Sequence, residues 1–149
     1  MKFKKFMKEL GVNGKIFTNG EDRWLVSQSV AMLIPKEVGV ILADVEIEAP
    51  NWFKEAVTKD YEVNICHLTK AVILDAEGKA NSIIRVFETE DGESIGIKNP
   101  FFALLEKGDI LNIYTNDKDQ KSLRVIAYED YKPKCVGIIM QYKYEKEEM

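Results

Sequence analysis

Two stretches of this 149-residue chain follow one pattern, and that repetition limits its possible folds more than any other feature. The first is Phe3-Lys4-Lys5-Phe6-Met7-Lys8-Glu9-Leu10-Gly11, followed by Lys15-Ile16-Phe17-Thr18-Asn19-Gly20. The second, within Pro100–Tyr128, is Phe101-Phe102-Ala103-Leu104-Leu105-Glu106-Lys107-Gly108, followed by Asn112-Ile113-Tyr114-Thr115-Asn116-Asp117. Gly11 falls on Gly108 and Thr18 on Thr115 at one offset of 97 residues. The same offset brings Ile16, Phe17, Asn19 and Asp22 onto Ile113, Tyr114, Asn116 and Asp119. A short amphipathic run closed by glycine, then an apolar run, then a polar turn, reads as a helix–strand–turn–strand unit present twice.

The rest of the chain supplies strands and turns around these units. In the first unit Phe3, Phe6, Met7 and Leu10 recur at helical spacing, while Lys2, Lys4, Lys5 and Lys8 fall on the opposite side. Lys15–Thr18 and Arg23–Ser27 read as strands around Asn19-Gly20, a pair that accepts positive φ. Val30–Ile34 is a third strand ended by Pro35. Val38–Ile47 is β-rich, with Val45 and Ile47 alternating with Glu46 and Glu48 as if one face were wet. Pro50–Lys59 reads as a helix whose stripe is Trp52, Phe53, Ala56 and Val57, with Trp52 in the core or at its edge. Tyr61–Ile65 is an expected strand, Leu68–Leu74 fits helix or strand, and Asp75–Asn81 is an expected loop.

Ser82–Lys98 is a hairpin turning at Asp91-Gly92. Asn99 is then placed to cap a helix with Pro100 in its first turn, where the missing N–H costs nothing, and Gly108 is placed to close it. Ile110–Thr115 and Ser122–Tyr128 flank the turn Asn116–Gln120, and Cys135–Tyr142 is the last strand. The sum is an α+β domain over residues 1–142, a largely antiparallel sheet with helices packed on one face, followed by a charged tail over 143–149.

Composition narrows function by exclusion. Hydrophobic residues make up 46% and charged residues 31%, and no apolar run approaches the roughly 18 residues of a membrane helix. Two cysteines, Cys66 and Cys135, suit free thiols and a cytoplasmic location rather than a disulfide scaffold. His67 is the only histidine; beside Cys66 on a strand it would point to the opposite face, so the two make neither a nucleophile–base pair nor a spaced zinc motif. Glu88, Glu90, Asp91 and Glu93 crowd one hairpin tip, which reads as a solvated surface rather than an acid–base pair. No phosphate-binding glycine loop or serine elbow occurs, so no catalytic, cofactor or metal site is expected and the chain reads as a non-enzymatic binding protein.

Two features can meet a polyanion. Lys2, Lys4, Lys5 and Lys8 are either a solvated helix face or a surface for DNA backbone, which would be bound regardless of sequence and weakened by salt. Their place at the positive end of a helix dipole costs a few tenths of a kcal/mol each. A net charge of −4 gives no global attraction to nucleic acid, but a local face acts through its own potential. Tyr128, Tyr131, Tyr142 and Tyr144, interleaved with Lys132, Lys134 and Lys143, fit either base stacking or an amphipathic edge strand.

A duplicated helix followed by antiparallel strands, ending on Val136-Gly137-Ile138-Ile139-Met140-Gln141-Tyr142-Lys143, resembles one domain of the DNA polymerase sliding clamps. Most of the likeness lies in Ser82–Lys143; Gln141 stands where bacterial clamps commonly have proline, and the first helix has no strand before it. The chain also resembles small uncharacterised phage and prophage proteins. The resemblance implies a DNA-clamp-like fold, a place in DNA replication, and a homo-oligomer, since one such domain per chain needs six copies to close a ring. The competing expectation is a modulator or inhibitor that binds a host or phage protein and never touches DNA.

Overall fold

The computed structural model describes residues 1–11, 13–39, 41, 43–58, 64–73 and 83–142. In chain order these form α1 (Phe3–Leu10), β1 (Lys15–Asn19), β2 (Asp22–Val26), β3 (Val30–Leu33), β4 (Val45–Glu48), α2 (Asn51–Thr58), β5 (Cys66–Ile73), β6 (Ile83–Thr89), β7 (Ser94–Lys98), α3 (Asn99–Phe102), β8 (Ile110–Thr115), β9 (Lys121–Glu129) and β10 (Lys132–Met140). The fold is α+β, with most of the strand in one large, mainly antiparallel sheet. Seven strands run in the order β4-β1-β2-β3-β10-β9-β8, and β5-β6-β7 form a second, smaller sheet.

The two halves of the large sheet mirror one another. β1-β2-β3 and β8-β9-β10 are both antiparallel meanders, each preceded by a helix, and they join where β3 pairs antiparallel with β10. Ile16 pairs with Leu25, and Leu25 with Met32; Ile113 pairs with Leu123, and Leu123 with Ile139. All six are buried in one core. The offset slips after the first strand because Thr18 pairs with Arg23 whereas Thr115 pairs with Lys121, one residue further on. The extra residue lies in the turn, so the strand pairing is undisturbed and Leu25 and Leu123 still face the core opposite Ile16 and Ile113; a one-residue slip within the ladder would turn every apolar side chain outward.

Both faces of this sheet are covered, which explains the unbroken burial of Trp24-Leu25-Val26 and of Ser122 to Ile126. On one face α1, the residues around α3 and the β6–β7 hairpin enclose Phe3, Phe6, Ile16, Leu25, Phe87, Ile95, Ile97, Leu104 and Ile113. On the other, α2 places Phe53, Ala56 and Val57 over Phe17, Trp24, Ala31, Ile126 and Ile138. Helices were expected on one face only; α2 departs from that because its stripe meets the alternate side chains of the same strands. Each fully buried aliphatic side chain contributes roughly 1.5–3 kcal/mol, so neither face can be left bare.

Several local expectations change. Among the described residues of Val38–Ile47 the strand is β4; it pairs parallel with β1 at the sheet edge, and all four of its residues are exposed rather than only the glutamates. Trp52 stands at the core edge, 57% exposed, with its ring edge-on to Phe17 and Phe53. β5 starts at Cys66, so Ile65 makes only an isolated bridge to Asn112, and Leu68–Ile73 is strand. Residues 61–63, the expected loop over 75–81 and the tail over 143–149 lie outside the described residues. Asn99 is the first residue of α3 rather than its cap, because its carboxamide oxygen accepts from Arg85 Nε at 2.9 Å. α3 ends at Phe102, and Gly108 serves a later turn with φ of 97°. The last strand begins at Lys132, since Asp130 and Tyr131 both take positive φ and make a tight hairpin between Glu129 and Lys132.

Candidate functional site

α1 is held down by one stripe and leaves the other in water. Phe3 and Phe6 are buried, and Met7 and Leu10 pack against the same core. Lys2 N–H donates to Leu104 carbonyl at 2.8 Å, which fixes the start of the helix beside the α3 region. Gly11, at φ of 58°, stops the helix with its N–H on Met7 carbonyl. Lys2, Lys4, Lys5 and Lys8 are all exposed, as their spacing requires. Among the described residues none of the four has an acidic partner within ion-pair distance. Some cations elsewhere are paired, Lys54 with Glu48 at 2.9 Å, Lys134 with Asp22 at 3.2 Å and Arg23 with Glu46 at 3.5 Å, and others such as Lys36 and Lys118 are not among the described residues' ion pairs.

At 3.6 residues per turn the four lysines divide into two ridges, Lys4 with Lys8 and Lys2 with Lys5. Glu9 continues the second ridge one turn beyond Lys5 and forms the lip of a groove of about 540 Å³. Leu10, Phe6, Leu104 and Phe101 line its depth; Asn13, the β2–β3 turn Ser27-Gln28-Ser29, and Lys98 line its rim. The turn is pinned by Ser27, whose Oγ accepts from Val30 N–H at 3.0 Å and Ser29 N–H at 3.3 Å. Lys98 adds a cation that the lysine spacing of the N-terminus could not reveal. Its ammonium lies 4.9 Å from the centre of the Tyr142 ring, and Tyr142 N–H donates to Gly96 carbonyl at 2.9 Å.

The other candidates disperse. Cys66 is buried in the core beneath α1, Cys135 in the core beneath α2, so the large sheet separates the thiols. Burial pushes each thiol up to about 12, and at Cys135 the nearby Arg124 charge opposes this only in part. His67 is exposed opposite Glu88, facing away from the buried Cys66. Among the described residues no three His, Cys, Asp or Glu side chains gather to hold a metal. The acidic hairpin is a structural knot as well as a wet tip. Thr89 hydroxyl donates to Asp91, and Glu93 accepts from Thr115 Oγ1 at 3.2 Å while lying 3.8 Å from Lys121, tying the small sheet to the large one. Tyr128 and Tyr131 stand at one end of β10 and Tyr142 beyond the other, so the expected tyrosine cluster is divided.

Comparison with protein-family models, with curated proteins and with solved structures found no match. No helix among the described residues is long and apolar enough to cross a membrane.

Proposed function

We propose that this is a non-enzymatic, clamp-like binding protein that engages a nucleic-acid backbone through the lysine face of α1. The observation that carries the reading is the set of four exposed lysines, unneutralised among the described residues, on a helix locked by its apolar stripe. Lys98, across the groove, extends the cationic surface towards α3. The mirrored meanders behind these helices agree with the resemblance to a clamp domain. A role in DNA replication and a phage or prophage origin rest on that resemblance alone.

The test is binding of Lys4→Glu/Lys5→Glu/Lys8→Glu at low salt. Each phosphate that a lysine no longer neutralises lowers the slope of log affinity against log salt by roughly 0.7–0.9, so three should lower it by roughly 2–3. No affinity in the native protein, or an unchanged slope in the variant, removes the proposal. Light scattering tests the ring: a hexamer supports it, and a monomer leaves a backbone binder that does not encircle its partner.

A second reading, a protein-binding modulator without DNA contact, is favoured by one patch. Trp52 and Met140 are exposed together beside a hollow of about 330 Å³ between α2 and the β8–β9 loop. Exposed Trp and Met are typical anchors of protein interfaces. Stoichiometric capture of one host or phage protein, abolished in Trp52→Glu and kept in the lysine variant, would favour this reading.

A further inference from the structure

We infer that the polyanion is a single strand, and that one of its bases enters the groove between α1, the β2–β3 turn and α3; this rests on the lysine-face reading. The groove's volume lies within the roughly 300–1,000 Å³ of small-molecule sites. Glu9, one helical turn beyond Lys5, and Lys98 both line it, so the groove lies next to the lysine face and within reach of a strand held there. Its depth offers the partly exposed ring of Phe101 as a stacking surface. Its rim offers the side-chain amides of Asn13 and Gln28, neither hydrogen-bonded to any described residue, for the edge of a base.

Three physical points favour a single strand over a duplex. Paired bases are stacked inside a helix and cannot turn into a side groove, whereas the bases of a single strand can splay and stack on an aromatic ring. The Ser27–Val30 turn is pinned through the Ser27 hydroxyl, so the backbone that carries Gln28 is fixed before binding and only the Gln28 side chain has to be ordered. Glu9 repels phosphate at the lip, which keeps the backbone on the Lys2–Lys5 side and leaves the groove to the uncharged base.

The experiment measures fluorescence anisotropy of the full chain with a labelled strand of about 20 nucleotides, long enough to span several such sites, and with the same sequence as a duplex. Expected is at least roughly tenfold tighter binding of the single strand. Phe101→Leu, which keeps an apolar side chain in the core but removes the ring, and Gln28→Ala, on a surface turn, should each weaken single-strand binding by roughly 5- to 100-fold and leave duplex binding unchanged. Circular dichroism checks that both variants are folded. Equal or tighter duplex binding overturns the inference while leaving the lysine face standing. A single-strand preference that neither variant alters places the bases elsewhere and overturns the groove. Binding to neither form overturns both this inference and the reading beneath it.

Discussion

Arg124 is the residue on which the α2 face most depends. It is 2% exposed, donates from Nε to Asn112 Oδ1 at 2.9 Å and from Nη1 to the carbonyl of Ala56 at 3.0 Å, and stacks 4.8 Å from the Tyr114 ring centre. Ala56 lies in the last turn of α2, where carbonyls lack helical partners and the dipole is negative, so the guanidinium acts as a buried cap. Arg124→Ala should cost about 3–5 kcal/mol in urea unfolding, because the groups it serves would be left desolvated. The thiols give a pH signature. Both folded-state values lie near 12, above the ordinary thiol, so between about 9 and 12 the folded chain holds protons that the unfolded chain has lost. Stability is therefore complete below about 9 and declines as pH rises, by about 1 kcal/mol per thiol per unit. A Cys66→Ala/Cys135→Ala variant should flatten that alkaline decline, and native protein near neutral pH should react with thiol reagents only on unfolding.

α1 is an element in conflict with itself. Its N-cap, Lys2, makes no side-chain cap bond, and its first turn contains no acid. Propensity and dipole both ask for Asp or Ser there. Lys2→Asp should raise stability by about 1 kcal/mol in thermal or urea unfolding while lowering affinity for a polyanion; a gain in both would separate the lysines from binding. The β9–β10 hairpin carries a second local conflict, since Tyr131 takes a φ of 64° and is fully exposed. The ladder holds up to the Glu129–Lys132 pair, so the pairing of β9 with β10 dictates where the chain must reverse.

The whole molecule should unfold as one unit despite its mirrored halves. β3 and β10 share a ladder, and Met32 and Ile139 lie in the same core as Phe3, Phe87 and Leu104. Neither meander can bury its apolar row alone. Far-UV circular dichroism and tryptophan fluorescence should give coincident urea transitions, although Trp24 and Trp52 both lie in the first half of the chain. Two separated transitions would mean that the halves are independent domains.

Local signals in the sequence determined much of this. The 97-residue offset marked the two units, glycine and turn residues marked the β1–β2, β6–β7 and β8–β9 turns though not the β9–β10 one, and helical spacing alone put the four lysines in water. Those features depend on neighbours along the chain, where backbone sterics and side-chain period act directly. Tertiary structure alone decided that α2 covers the opposite face, that β4 joins as a parallel edge, and that β3 meets β10. It also decided that Lys98, Gln28 and Phe101 share a groove with α1. Packing between residues so far apart leaves no periodic trace, because burial depends on which surfaces meet and not on the order in which they are written.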